Sequence, residues 1–517
     1  ELACFDRQLW QLLQDAEFAF GLMLGLAEDH PRRARLLYGL NELCNVIGEA
    51  DPAAVRRCRA ILRPLLTARA NASAARVSAI GHAHIDVAWL WPLRETVRKC
   101  GRTFSTALRY MREYPEYRFV QSQAQLYEYT RRHYRQLYEQ IRRAIRRGQW
   151  IAEGAMWVEA DCNITAGESL VRQLLYGKRF FAEQFGVECR ILWLPDAFGY
   201  SAGLPQILKL AGVDYFLTQK LSWNELNRFP YHTFWWEGID GSRVLAHFPP
   251  ADSYNSTVKP QEMLRASRAY RERDRSDRWI VVFGHGDGGG GPTTEMLERI
   301  RRMGDCEELP RVQQESPVEF FKKLQASSDD WPVWVGELYL ELHRGTYTSQ
   351  ARTKRNNRLA EVALREAEFL AAAVPDGLRA YPQDRLDEAW KLVLLNQFHD
   401  VLPGSSIGWV YRDSDRQYEQ ARRIAQAVAE EGAGRLIERI ETRGSGRPVV
   451  LTNSLSWPRR AVVEIGLRAN ESAVTVTDEN GQQLPVQLVR RGGQRVGLIQ
   501  ADVESMGYRT VWIRPGR

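Results

Sequence analysis

From residue 76 onward, one alternation limits the architectures open to this chain. Short apolar segments, each ending in polar or acidic residues, recur with stretches of helical period between them. "RVSAIGHAHID" leads into a helix rich in Arg and Thr, "YRFVQSQ" precedes a long helix at 123–147, and "WIAEGAMWVE" precedes another at about 167–185. "CRILWLPDAFG", "VDYFLTQK", "TFWWEGI", "RVLAHFPP" and "RWIVVFGHGDGG" follow at intervals that suit strand–helix units. The chemically active residues gather at the C-terminal ends of these segments. The pattern predicts an α/β fold, as a β/α barrel or a related parallel sheet. A doubly wound open sheet is the alternative that the pattern leaves standing.

The flanks have other periods. Residues 1–72 read as helical, with "FDRQLWQLLQDAEFAFGLMLGL" and "AAVRRCRAILRPLLTARA" placing apolar residues three and four apart. Beyond the segment 73–345, helices are expected at about 349–374, 384–398 and 408–437, as a three-helix bundle within 346–441. After the hinge "TRGSGRPVV", residues 442–517 alternate with period two and carry an Asn480-Gly481 turn, which predicts a small β domain or the start of a larger one.

At 517 residues the chain exceeds one ordinary core, so about two to four domains are expected. Its formal charge of +7 raises the question of a polyanionic partner. The arginines, however, are spread through amphipathic helices with acids close by, which reads as solvated helix faces and not as a nucleic-acid groove. No zinc-finger spacing, P-loop or dinucleotide fingerprint occurs. Seven dispersed cysteines, Cys4 among them, form no CxxC pair, and no apolar run reaches membrane length. Together with the lack of a signal peptide at the start, this predicts a cytoplasmic protein off the membrane. The chain begins at Glu1 and not Met, which leaves an N-terminal extension open.

"GHAHIDVAWLWP" sets His82, His84 and Asp86 at alternate positions, so an extended segment turns them to one face. Imidazole nitrogen and carboxylate oxygen suit a divalent ion such as zinc, and two further ligands are needed. Asp196 in "ILWLPDAFGYS" ends an apolar segment and serves either as ligand or as a turn residue. His399 in "NQFHDVLPGSS" is either a ligand or a helix C-cap. "VFGHGDGGGGPT" lacks the Walker lysine; its glycines suit close approach of backbone to a ligand, with His285 and Asp287 projecting into a cleft. The alternative is a flexible surface loop. Trp89, Trp91, Trp157, Trp193, Trp223, Trp235 and Trp236 fall near the same segment ends. Aromatic rings cover the C–H faces of sugars while carboxylates bind their hydroxyls, so the set favours a hydrolase of a polyhydroxylated substrate.

Six motifs, "GHAHIDVAWLWP", "WLPDAFGYSAGLPQI", "TQKLSWNELNRFPYHTFWWEGIDGSRVLAHFPP", "FGHGDGGGGPT", "ELYLELHRGTYTSQ" and "NQFHDVLPGSS", stand in one order that resembles the α-mannosidases of glycoside hydrolase family 38. The nearer likeness is to the cytosolic and bacterial branch. It runs from about residue 75 to 440. The resemblance implies a seven-stranded β/α barrel followed by a three-helix bundle and the start of a C-terminal β domain. It also implies retaining hydrolysis of terminal non-reducing α-D-mannosyl residues of oligosaccharides or glycoconjugates. His84, Asp86, Asp196 and His399 match the family's zinc ligands, and cobalt suits the same donors. Asp196 matches the nucleophile and Asp287 the acid/base. Trp89 matches an aromatic beside the mannose, Asp400 an acid on its hydroxyls, His285 is a further candidate substrate contact, and His82 is assigned to support of the site. Family members run on through large C-terminal β domains that wall the cleft, so a shorter chain leaves a surface that would pair with another copy. The rival readings are a metal-dependent polysaccharide deacetylase and a non-catalytic sugar-binding fragment.

Overall fold

The computed structural model describes residues 5–375, 380–469 and 471–516. Cys4 lies outside them; the six described cysteines are free thiols, all buried except Cys44. Two compact units alternate along the chain, 1–357 with 391–417 and 358–390 with 418–517. No helix among the described residues is long and apolar enough to cross a membrane.

The first unit opens with three helices, Arg7–Gly25, Pro31–Ile47 and Pro52–Thr67. Asp6 and Asp51 accept the first free amides of the outer two, and His30 Nδ1 does so for the middle one. Pro31 and Pro52 occupy the first helical turn, where a missing N–H is harmless.

Ten strands follow: β1 Arg76–His82, β2 Phe119–Gln121, β3 Trp150–Ala152, β4 Ile191–Trp193, β5 Tyr215–Leu217, β6 Thr233–Glu237, β7 Arg243–His247, β8 Arg278–Phe283, β9 Arg311–Gln314 and β10 Val333–Val335. One sheet runs β3-β2-β1-β8 with β9 also paired to β1, all parallel. The other runs β10-β6-β7-β5-β4. Every residue of β1 after Arg76 is buried, as a parallel strand covered on both faces requires. Ile80, Val120, Trp193, Leu217, Leu245 and Val282 meet in one apolar core with Phe320, Phe321 and Trp331.

Two local readings change. "TFWWEGI" and "RVLAHFPP" are not separate strand–helix units: β6 and β7 pair antiparallel, Thr233 opposite His247. The Gly238–Ser242 connection between them is far too short for a parallel crossover. The helix expected at 123–147 is two, Ala124–His133 and Arg135–Arg146, with Tyr134 at φ −137°, ψ 60° between them. Tyr134 packs against Gly101, where a Cβ would lie 3.0 Å from its ring, so tertiary packing overrides the helical pattern.

The three later helices are Ala351–Ala372, Gln383–Asn396 and Gly408–Ile437. In the second unit, β11 Arg447–Asn453, β12 Arg459–Gly466, β13 Val474–Thr477, β14 Gln483–Leu484, β15 Val486–Arg491, β16 Gln494–Val503 and β17 Gly507–Pro515 form two antiparallel sheets, β11-β17-β13-β14 and β12-β16-β15. Their inner faces share a core that includes Val476, Ile499 and Val511. The turn around Asn480-Gly481 joins β13 to β14, with Gly481 at φ 78°.

Candidate active site

The candidate residues gather just past the C-terminal ends of two parallel strands, β1 and β4, and of one later helix. His84 and Asp86 lie two and four residues past the end of β1. Asp196 lies three past the end of β4, and His399 three past the helix that ends at Asn396. All four are buried, and one donor atom from each falls within 4.8 Å of the other three. His84 Nε2 is 2.9 Å from Asp86 Oδ1 and 3.9 Å from Asp196 Oδ2. His399 Nε2 is 3.5 Å from Asp86 Oδ1 and 3.7 Å from Asp196 Oδ2. Ligands at about 2.0–2.2 Å in a tetrahedron stand roughly 3.3–3.6 Å apart, so these spacings bracket those of a zinc-type site. His399 Nε2 has no hydrogen-bond partner of good geometry among the described residues. Two carboxylates with two neutral imidazoles carry the charge that one divalent cation cancels, and burial makes that cancellation necessary. The donor set fits such an ion.

The electrostatics show how tightly these charges depend on one another. Burial pushes His399 down, but the Asp196 and Asp86 carboxylates outweigh it and raise its pKa to about 10. Burial likewise opposes charge on Asp196, yet His399 and Lys220 hold it well below the usual carboxylate range. Asp400 goes the other way, to about 7, through burial and the Asp86 charge.

The surroundings of the four donors differ in part from the sequence expectation. His82 is buried, but neither ring nitrogen has a hydrogen-bond partner among the described residues; its ring packs 5.5 Å from Trp193. Burial holds it neutral. Glu159 stands beside both imidazoles, in the position where support was expected from His82. Its Oε2 is 3.0 Å from His84 Nδ1, and its backbone carbonyl is 2.8 Å from His399 Nδ1. Its carbonyl thus orients the His399 ring, its carboxylate stands beside the His84 ring, and its Oε1 accepts from Ser122 Oγ at 2.6 Å. Lys220 was also missed: 2% exposed, it donates from Nζ to Asp196 Oδ1 at 2.6 Å. Each had a signal, an acid or a lysine just past an apolar segment.

Asp86, Asp196, Asp287, Asp400, Trp89 and Trp223 line one cavity of about 470 Å³. Asp287 holds φ 54°, and its Oδ1 accepts from the Tyr254 hydroxyl at 2.8 Å. Asp400 Oδ1 accepts from Ser405 Oγ. His285 is exposed and is not among the cavity's lining residues. Of the seven tryptophans near the segment ends, only Trp89 and Trp223 line the cavity, while Trp157, Trp193 and Trp236 are fully buried in the core.

The glycine-rich loop proves to be a backbone-to-backbone joint. Asp86 N donates to Asp287 O at 2.9 Å, and Ile85 bridges Gly288. A Cβ on Gly284, at φ 128°, would lie 2.2 Å from the His82 carbonyl. These glycines bring Asp287 against the segment that holds His84 and Asp86.

Residues 74–337 match the N-terminal domain of glycosyl hydrolases family 38, and residues 341–436 match the alpha-mannosidase middle domain. The chain belongs to glycosyl hydrolase family 38. This family 38 chain is 43% identical over 471 residues to alpha-mannosidase 2C1 of Homo sapiens, covering 90% of the chain and 45% of that protein. It is 42% identical to alpha-mannosidase of Saccharomyces cerevisiae over 72% of the chain and 37% of that protein. Identity to alpha-mannosidase 2 of Drosophila melanogaster is 23%, over 70% of the chain and 39% of that protein. The chain thus spans less than half the length of these relatives. The fold matches the crystal structure of an alpha-mannosidase from Enterococcus faecalis V583 with a TM-score of 0.73 at 19% identity, over 86% of the chain and 56% of that one.

Proposed function

We propose that this chain carries the catalytic centre of a retaining α-mannosidase, cleaving terminal α-D-mannosyl residues from oligosaccharides or glycoconjugates. One observation carries the reading: the buried His84, Asp86, Asp196 and His399 set borders a cavity that Asp287 also lines. His84, Asp86, Asp196 and His399 would hold one divalent ion, zinc in this reading with cobalt suited to the same donors. Bound there, the ion supplies positive charge that keeps Asp196 ionised and a Lewis acid for sugar hydroxyls.

The protein's own groups do the rest. Asp196 Oδ2 faces the histidines, and Lys220 holds Oδ1. Oδ1 attacks C1 of the mannose and forms a glycosyl ester as the C1–O bond to the leaving group breaks. Tyr254 occupies Oδ1 of Asp287, which leaves Oδ2 to carry the proton given to the departing oxygen. Asp287 then takes a proton from water, whose oxygen bonds to C1 and frees Asp196. Trp89 covers a sugar face and Asp400 accepts from its hydroxyls.

This reading includes the architecture. The two sheets are taken as halves of a barrel of seven parallel strands, β1-β2-β3-β4-β5-β7-β8. Its two seams are supported by Glu153 Oε1 accepting Arg190 and Ile191 amides, and by the Ile280 amide donating to His247 Nε2. It takes 73–345 as the barrel domain, 346–441 as a three-helix bundle and 442–517 as a β domain. Six free thiols support a reducing, cytoplasmic setting.

The test is metal analysis joined to hydrolysis of an aryl α-mannoside by the wild type, Asp196→Ala and His399→Ala. Both variants are expected to lose metal and at least a thousandfold in kcat/KM. Full metal content and activity in both would overturn the site, and release of acetate from acetylated glycans in place of mannose would overturn the reaction.

A further inference from the structure

A cleft of about 1160 Å³ in the first unit shares no lining residue with the cavity beside the four donors. One wall is the helix Pro52–Thr67 and the other the helix Thr294–Arg302, with Gln8, Gln11 and Asp15 added by the helix Arg7–Gly25. Six arginines line the cleft against three acids. Arg56, Arg59 and Arg63 recur three and four residues apart, so they share one face of the helix Pro52–Thr67. A solvated helix face ordinarily mixes both signs of charge, but that helix contains no acidic residue.

The acids of the cleft are already committed. Asp15 accepts from Arg59 Nε at 3.2 Å and from Arg302 Nη2 at 2.7 Å, which ties the two walls together. Glu298 accepts from Arg302 Nη1 at 2.7 Å and from the Tyr114 hydroxyl at 3.1 Å. Asp305 accepts from the Ala70 amide at 3.1 Å and from Arg311 Nε at 3.2 Å. Arg56, Arg63 and Arg69 are left exposed, and none of their guanidinium groups has an ion pair or hydrogen bond among the described residues. Gln8 Oε1 accepts from Arg59 Nη1 at 2.8 Å, so its amide nitrogen is a further donor.

Unpaired guanidinium groups beside saturated carboxylates select an anion with planar or tetrahedral oxygens. Arg56 and Arg63 stand two helical turns apart, about 10 Å along the axis. Two phosphoryl groups at opposite ends of a small carbon skeleton match that spacing with each arginine extended. One phosphate would need both to bend inward.

We propose that this cleft binds a small molecule with a phosphoryl group at each end, one taken by Arg56 and the other by Arg63 with Arg69. The site is independent of the mannoside-cleaving reading above.

The experiment is calorimetric titration of the whole chain at low ionic strength, with fructose 1,6-bisphosphate as the probe and fructose 6-phosphate as its single-phosphoryl comparison. Wild type is set beside Arg56→Gln/Arg63→Gln and beside Arg459→Gln/Arg460→Gln, which removes the same charge from exposed positions of β12. The bisphosphate is expected to bind wild type and Arg459→Gln/Arg460→Gln alike, and Arg56→Gln/Arg63→Gln at least tenfold more weakly. It should also bind wild type at least tenfold more tightly than the monophosphate does. No binding to wild type overturns the site, as does equal binding to Arg56→Gln/Arg63→Gln. An equal loss in both double variants assigns the attraction to net charge and overturns it too, and equal affinity for the two probes overturns the two-ended ligand. Without the probe both variants should keep the wild-type Tm; a lower Tm in Arg56→Gln/Arg63→Gln would show that these arginines hold the fold and are not free for a ligand.

Discussion

Glu153 gives this fold a pH-dependent weakness whose sign and size follow from its surroundings. It directly follows β3, is 3% exposed, and accepts from the Arg190 and Ile191 amides at 2.7 Å each through the same oxygen, Oε1. Burial raises its pKa from the ordinary 4.5 to about 8; the two amides, Lys178 and Arg190 oppose that rise without cancelling it. The folded chain therefore keeps a proton that the unfolded chain releases near pH 4.5. The stabilisation is complete below that point and is lost as the pH rises towards 8. At about 1.4 kcal/mol per unit of pKa difference, the ceiling is ~5 kcal/mol, and relaxation with water entry brings a realistic loss to a few kcal/mol. Glu153→Gln keeps an acceptor for both amides and removes the titration. Urea unfolding followed by tryptophan fluorescence should show wild-type stability falling relative to Glu153→Gln between pH 5 and pH 9. The gap should close at the acid end. Parallel pH profiles for the two proteins would refute the assignment of a buried neutral carboxyl, and a variant that loses stability only towards the alkaline end would show that the charge, not the acceptor geometry, holds the joint.

Two further changes probe the surroundings of the candidate metal-binding set. Glu159→Gln removes the charge beside His84 Nδ1 while leaving the backbone carbonyl that holds His399; chelator competition should show divalent-ion affinity reduced about 10- to 100-fold, and unchanged affinity would remove Glu159 from the site. Gly284→Ala places a methyl 2.2 Å from the His82 carbonyl at a backbone angle that disfavours alanine. The expected loss is about 3 kcal/mol or more, read as a lower Tm together with reduced aryl-mannoside hydrolysis; an unaltered Tm would refute the joint between the two loops.

Much of the first unit was legible because its strands repeat one device. A parallel strand buried on both faces reads as an unbroken apolar run, and its first polar residue marks the rim where ligands can be reached. That device located His84, Asp86, Asp196 and Asp287 at chain level. It misread β6 and β7, because apolar content alone carries no information about strand direction; only the short Gly238–Ser242 connection does. Tyr134 escaped for a related reason, since its partner Gly101 lies on another helix.

Lys220 shows where sequence reading could have gone further. A lysine after an apolar segment is ordinarily solvated. However, β4 and β5 are adjacent and parallel, with Trp193 opposite Leu217. Asp196 is three residues past Trp193 and Lys220 three past Leu217. Equal offsets from paired residues place the two side by side at one rim, and the 2.6 Å contact follows from register. His399 admits no such derivation. It follows a helix and comes from far along the chain, and its own surroundings read equally well as a helix cap. Its place rests on Glu159, whose carbonyl fixes one ring nitrogen and so leaves Nε2 facing Asp86 and Asp196. The resemblance singled out the residue, and the backbone of a buried glutamate supplies the physical reason for its orientation.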